Sequence, residues 1–170
     1  KPLLSIIENL IREKFKANLD NLNSIEKNDL KILRKKYFEL LKKYTNTKDK
    51  LIIDKMPLHT SRLPLIKILF PNSKIIFAHR HPYDTVLSCF QQTFKPNQAM
   101  ANLVSLKSSS IMYDQVMKAW DIYKQNLSLN FTTSKYENLI NDFDTHIQKI
   151  LEFLGLEYDN VKITQFVGVA

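Results

Sequence analysis

An arginine and a serine eight residues apart, Arg80 and Ser88, have the side chains and the setting of a phosphate site. The apolar residues 75–78 predict a short buried strand, and Pro82 predicts the first turn of a helix, because its fixed φ suits that position. A helix that begins directly after a strand presents free N–H groups and a positive dipole end to an anion. Arg80 adds a guanidinium suited to phosphate, and the Ser88 side chain would tilt back toward the helix start. One phosphate could therefore bind between them, although a basic turn before a helix is also a common solvated connection.

A second basic strand end is predicted upstream of this stretch. Residues 51–54 are apolar and β-branched and predict a buried strand that leads into Lys55. Residues 60–70 predict a helix between this strand and the next, which gives a βαβ unit with parallel strands and a right-handed crossover. Lys55 and Arg80 would then leave the carboxyl ends of neighbouring strands, the edge at which open α/β sheets bind ligands.

Helices and one more strand are predicted around this unit. Apolar residues at helical spacing predict helices over 2–17, 29–44 and 108–126, and Trp120 lies on the apolar face of the third. A strand over 129–134 would bring Tyr136 to the same edge of the sheet. Asp144 is expected to cap a last helix, and Gly155 is expected to end it in the left-handed conformation.

These elements predict an α/β fold in which a small parallel sheet is flanked by helices. We expect a single domain over 1–170, with a helical part at 1–48 and an α/β core at 51–158. The sequence has no initiating methionine and ends on an apolar segment, so we expect it to be a fragment of a longer protein. No apolar run is long enough to span a membrane and no signal peptide is visible, which favours a cytoplasmic protein.

Composition restricts the partners and the cofactors. The 170 residues can bury one core, and a hydrophobic content of 44% excludes a disordered chain. A net charge of +8 favours anionic partners such as nucleotides, sulfated or phosphorylated substrates, nucleic acid or an acidic surface. The single cysteine, Cys89, excludes an internal disulfide, and no Cys and His spacing suggests zinc, so no metal is expected. With two glycines, the sequence cannot build a Gly-rich phosphate loop.

Three polar segments resemble one family in their order and spacing. They are residues 54–57 (Asp-Lys-Met-Pro), residues 80–90 (Arg-His-Pro-Tyr-Asp, then Leu-Ser-Cys-Phe) and residues 135–139 (Lys-Tyr-Glu-Asn-Leu). They are similar to the sulfotransferases that use 3′-phosphoadenylyl sulfate, in particular the bacterial-type branch with the tetratricopeptide-repeat and tyrosylprotein sulfotransferases. The resemblance covers residues 51–158. It implies an incomplete P-loop-NTPase-like sulfotransferase fold and transfer of a sulfuryl group to a hydroxyl or amine acceptor, without a metal.

The resemblance also implies roles for individual residues. Arg80 and Ser88 stand at the spacing that holds the 3′-phosphate of the nucleotide in the family. Lys55 would lie near the bridging oxygen and the sulfuryl group and would stabilise charge in the transition state. Tyr136 would contact the adenine base, or would simply be a half-buried ring at a strand end. His59 is either a general base, since its pKa is ordinarily near neutral, or a structural cap of the following helix.

The resemblance has gaps, and other functions stay open. The family's amino-terminal loop, which holds the 5′-phosphosulfate, is not recognisable, so we expect this chain alone to be inactive or nearly so. Glu137 is expected to cap a turn or pair with a cation. The alternative to a sulfotransferase is a basic module for nucleic acid or an acidic partner with a decayed nucleotide site, although a nucleic-acid role is not favoured. The basic binding module is supported by the net charge of +8 and by the Lys-rich helix at 29–44. A relative of the P-loop kinases is a third interpretation.

Overall fold

Nine regular elements make up the described part of the molecule. The computed structural model describes residues 3–15, 22–44, 51–92, 94 and 99–158. The elements are, in chain order, α1 (Leu3–Phe15), α2 (Lys27–Leu41), α3 (Leu63–Leu69), β1 (Lys74–His79), α4 (Pro82–Gln91), α5 (Leu106–Asn126), β2 (Asn130–Lys135), α6 (Tyr136–Asn141) and α7 (Phe143–Leu154). Short 3₁₀ turns cover 22–24, 57–62 and 100–103.

A two-stranded parallel sheet forms between β1 and β2, the second and third predicted strands. The strands pair along their whole length, from Lys74 opposite Asn130 to His79 opposite Lys135. The chain crosses between them through α4 and α5, because parallel strands need a long crossover that returns to the starting edge. The predicted α/β class, with a small parallel sheet and flanking helices, is confirmed at this level.

The prediction of a strand over residues 51–54 is wrong. Residues 51–56 form no strand, and the Ile53 side chain is 75% exposed. The predicted helix that follows is present as the turn at 57–62 and α3, yet the βαβ unit does not form. A strand exists only where a partner supplies its hydrogen bonds, and a cavity separates this segment from β1. A short apolar run carries no information about that partner.

The last helix begins at Phe143, two residues earlier than a cap at Asp144 would require. Asp142, not Asp144, is the N-cap, and its Oδ1 accepts the backbone N–H of Thr145 at 3.3 Å. Asp144 lies inside the first turn, where its Oδ1 accepts the hydroxyl of Tyr158 at 2.7 Å. Gly155 ends the helix with φ of 74°, as predicted, because a residue without Cβ adopts the left-handed conformation without strain.

The main core lies among α1, α2 and α3, away from the sheet. Its fully buried side chains include Ile7, Ile11, Leu33 and Leu65. Arg34 of α2 donates to the carbonyls of Ile68 and Leu69, which closes the carboxyl end of α3. The turn at 57–62 leads directly into α3 and so joins this core.

An aromatic cluster joins α5 to both strands. The Trp120 side chain is only 4% exposed and stacks parallel to Phe77 of β1, with ring centroids 4.0 Å apart. Trp120 also packs edge-on against Phe131 of β2, with ring centroids 5.1 Å apart. The predicted apolar face of α5 is therefore confirmed, and it holds the two strands side by side.

Candidate functional site

The carboxyl ends of β1 and β2 lie side by side, because the register pairs His79 with Lys135. Arg80 and Tyr136 follow these ends directly. The guanidinium carbon of Arg80 lies over the Tyr136 ring, 4.9 Å from its centroid, in a cation–π contact. The edge therefore combines Arg80 with Tyr136, whereas the sequence had predicted that Lys55 would be the strand-end neighbour of Arg80.

Helix α4 starts two residues after Arg80, as predicted, with Pro82 at its first position. Ser88 lies in its second turn with a partly buried side chain. Arg80 Nε is 3.7 Å from Asp84 Oδ2, and both side chains are about half exposed. An exposed pair at this distance stabilises little, so an incoming phosphate could replace Asp84. A shared contact of Arg80 and Ser88 with one phosphate stays a prediction.

Glu137 links the two strand ends by a hydrogen bond to the backbone. Its Oε1 accepts the N–H of His81, the N-cap residue of α4, at 2.7 Å. This bond is the main reason why the pKa of Glu137 lies below its usual value. The carboxylate therefore caps the strand-to-helix junction that carries Arg80.

A second cluster of polar side chains lines a cavity of about 660 Å³. Tyr37, Asp54, Lys55 and His59 contribute to its wall, as do β1 residues 74–78 and Trp120. The structure thus brings Lys55 and His59 to one site. Arg80, Ser88 and Tyr136 are not among the described residues that line this cavity, although its wall reaches Ala78, two residues before Arg80.

Asp54 is the centre of a hydrogen-bond network that sequence reasoning missed. Its Oδ2 accepts the hydroxyl of Tyr37 at 2.6 Å, and its Oδ1 lies 3.0 Å from His59 Nε2. The hydrogen bond with His59 is the largest cause that lowers the pKa of Asp54, while partial burial opposes it. Burial and the hydrogen bond to Asp54 raise the pKa of the Tyr37 phenol. Tyr37 lies within the helix predicted over 29–44 from apolar spacing alone, so no sequence signal pointed to this network.

The two ring nitrogens of His59 have different surroundings. A carboxylate only accepts hydrogen bonds, so Nε2 must carry the proton in its bond to Asp54. Nδ1 is buried and has no hydrogen-bond partner within the described residues. In a neutral ring Nδ1 would hold the free lone pair, which makes it the nitrogen that could accept a proton.

Comparison with known proteins identifies the family. A family model described as "Sulfotransferase family" matches residues 8–160. This chain belongs to the sulfotransferase family. No curated protein and no solved structure matches it significantly. The match does not support the alternative of a basic binding module.

Membership makes this sulfotransferase a transferase with a nucleotide donor and an acceptor substrate. The family generally uses 3′-phosphoadenylyl sulfate as its donor. No helix of the described residues is long and apolar enough to cross a membrane. Within the same part of the chain, no three His, Cys, Asp or Glu side chains come together as metal ligands.

Glu137 provides a test of how the sulfotransferase orders its strand-end junction. We expect Glu137→Ala to speed hydrogen exchange at the amide of His81 and in the first turn of α4, because that amide loses its acceptor. Glu137→Gln is the matched control, since its side-chain carbonyl can still accept. Hydrogen exchange at the His81 amide, measured by NMR, should be faster in Glu137→Ala than in Glu137→Gln or the parent. Equal rates in the alanine variant and the parent would contradict the capping role.

Proposed function

We propose that this sulfotransferase moves the sulfuryl group of 3′-phosphoadenylyl sulfate to a hydroxyl or amine acceptor. The proposal is supported chiefly by Arg80 and Tyr136, which meet at the carboxyl edge of two parallel strands in a chain of this family. Ligands of open α/β sheets bind outside that edge. A P-loop-like arrangement of the sheet is part of the same proposal.

The nucleotide would bind at the strand-end junction. Arg80 and Ser88 would hold the 3′-phosphate at the start of α4, where the helix dipole also favours an anion. Tyr136, 45% exposed, offers a ring face on which the adenine could stack. The phosphate would replace Asp84 as the partner of the Arg80 guanidinium, so the negative charge of Asp84 competes with phosphate binding.

The chemistry would take place at the cavity that contains Lys55. An ammonium placed near the bridging oxygen would stabilise the negative charge that develops as the sulfuryl group leaves the nucleotide. His59 has two proposed roles. It is either the base that accepts the acceptor's proton, which requires the buried Nδ1 to become accessible to the acceptor, or a structural cap held by Asp54. We also propose that the 170-residue chain alone turns over near background, because the 5′-phosphosulfate loop is not recognisable in it.

A binding experiment tests the 3′-phosphate site. The natural full-length protein should bind adenosine 3′,5′-bisphosphate more tightly than adenosine 5′-monophosphate, and Arg80→Ala should lower the affinity for the bisphosphate by about 10- to 100-fold, as expected for a lost charge-assisted contact. Affinity for the monophosphate should change little. The measurement is isothermal titration calorimetry.

The matched variants sharpen this test. Asp84→Asn should tighten bisphosphate binding, because it removes the carboxylate that competes for Arg80. Arg12→Ala removes an exposed arginine outside the proposed site and should change nothing. If the folded protein showed no preference for the bisphosphate, or kept it in Arg80→Ala, the proposed nucleotide site would be wrong.

A further inference from the structure

Lys55 lies in a segment that strand pairing does not hold. Residues 51–56 form no helix or strand, and the Lys55 side chain is exposed. A cation that stabilises a transition state is effective when it is already in place, because moving it during the reaction costs free energy. Some other interaction must therefore restrain the backbone on either side of Lys55.

The neighbouring residue, Asp54, is tied to the core through Tyr37. The Tyr37 hydroxyl donates to Asp54 Oδ2 at 2.6 Å, although the two residues are 17 apart in the chain. Tyr37 is only 4% exposed, and its ring packs edge-on against two phenylalanine rings. The ring centroids lie 5.6 Å apart for Phe38 and 4.9 Å apart for Phe70. The ring cannot move without disturbing this cluster, so the hydroxyl is a fixed point at the wall of the cavity.

On the other side, Asp54 and His59 close a small loop that contains Lys55. His59 Nε2 lies 3.0 Å from Asp54 Oδ1, and the backbone N–H of His59 donates to the Met56 carbonyl at 3.0 Å. Both carboxylate oxygens of Asp54 are thus engaged, one with the core and one across the loop. A bidentate anchor of this kind restrains the residue attached to it.

We propose that Tyr37, Asp54 and His59 form a positioning network that holds Lys55 in place at the cavity. This inference rests on the proposed role of Lys55 in sulfuryl transfer. Tyr37 and Asp54 are positioning residues in this proposal, because they act on the reaction through Lys55. The network adds to the proposed site a residue of α2, an element that the nucleotide site does not use.

Limited proteolysis tests the positioning without any reference to activity. Trypsin cleaves after lysine only when the chain opens locally, so the initial rate at the Lys55–Met56 bond reports how firmly this loop is held. Tyr37→Phe and Asp54→Ala should each raise that rate by at least about three- to tenfold, the population change expected for one lost hydrogen bond. Tyr44→Phe removes the hydroxyl of an exposed ring just after α2 and is the matched control. Equal cleavage in the parent and both network variants would overturn the proposal.

Turnover in the natural full-length protein tests the consequence for catalysis. Tyr37→Phe should lower kcat by about tenfold and change the dissociation constant for adenosine 3′,5′-bisphosphate much less, because Arg80, Ser88 and Tyr136, the residues proposed to bind the 3′-phosphate and the adenine, do not line the cavity. In a Lys55→Ala background the same substitution should have no further effect, since its target is gone. A tenfold loss that persists in that background would overturn the proposal. If the parent showed no sulfuryl transfer with any acceptor, the proposed function would fail, and the cleavage rates would still decide whether the network holds the loop.

Discussion

Lys55→Ala is expected to lower the rate of sulfuryl transfer at saturating donor by about 100- to 1,000-fold, the usual loss when one preorganised donor to a transition-state charge is removed. The physical reason is that the charge on the leaving oxygen develops mainly in the transition state, so that the ammonium stabilises it more than it stabilises bound donor. The dissociation constant of the nucleotide should therefore change much less than kcat. Steady-state kinetics on the natural full-length protein, together with nucleotide titration, would measure both.

Two further variants make this prediction specific. Lys55→Arg keeps the charge but spreads it over a larger planar group, so it should restore only part of the rate. Lys118→Ala removes an exposed lysine of α5 that pairs with Asp114 at 2.7 Å, and it should leave the rate unchanged. A Lys55→Ala protein with parental kcat would remove Lys55 from the reaction and would also leave the positioning network without its proposed purpose.

Trp120→Ala is expected to lower the free energy of unfolding by about 3–5 kcal/mol, the range for truncation of a large buried aromatic side chain. The indole is stacked on Phe77 and meets Phe131 edge-on, so its loss leaves a void between α5 and both strands. Because the two strands position Arg80 and Tyr136, weaker packing here should also weaken nucleotide binding. Urea unfolding followed by circular dichroism would measure the change in stability.

The neighbouring exposed residue of the same helix is the control for this effect. The Ile122 side chain is 58% exposed, so Ile122→Ala should change the unfolding free energy by no more than about 0.5 kcal/mol. Trp120→Phe keeps an aromatic ring and should fall between the parent and Trp120→Ala. A loss below about 1 kcal/mol in Trp120→Ala would mean that the stacked cluster does not carry the contact between α5 and the sheet.

Local sequence patterns predicted most of the helices and two of the strands. The period of apolar residues in α1, α2 and α5 is visible without any knowledge of their partners, because each helix satisfies its own backbone hydrogen bonds. Pro82 and Gly155 marked helix ends correctly, since their conformational preferences are properties of single residues. The prediction that Asp144 caps the last helix was wrong. Asp142 and Asp144 both have suitable side chains, and Asp142 is the cap because α7 begins directly after it.

The pairing of strands was not a local property. Residues 51–54 have the composition of a strand and yet find no partner, whereas β1 pairs with β2 across more than fifty residues of chain. The placement of Tyr136 at the same edge as Arg80 was predicted correctly, since it required only that both residues follow parallel strands. The prediction that Lys55 is the strand-end neighbour of Arg80 depended on a strand over residues 51–54. That strand does not form, so the prediction failed.

The sequence by itself determined the residue types that could bind a phosphate and stabilise a sulfuryl group, the order of three motifs, and through them the family. Only the tertiary structure decided which of these residues meet. Arg80 lies against Tyr136 because two strands pair, and Asp54 binds Tyr37 because α2 packs beside the segment that carries Lys55. Contacts of this kind join residues far apart in the chain, so they depend on the packing of whole elements and leave no periodicity or spacing in the sequence to reveal them.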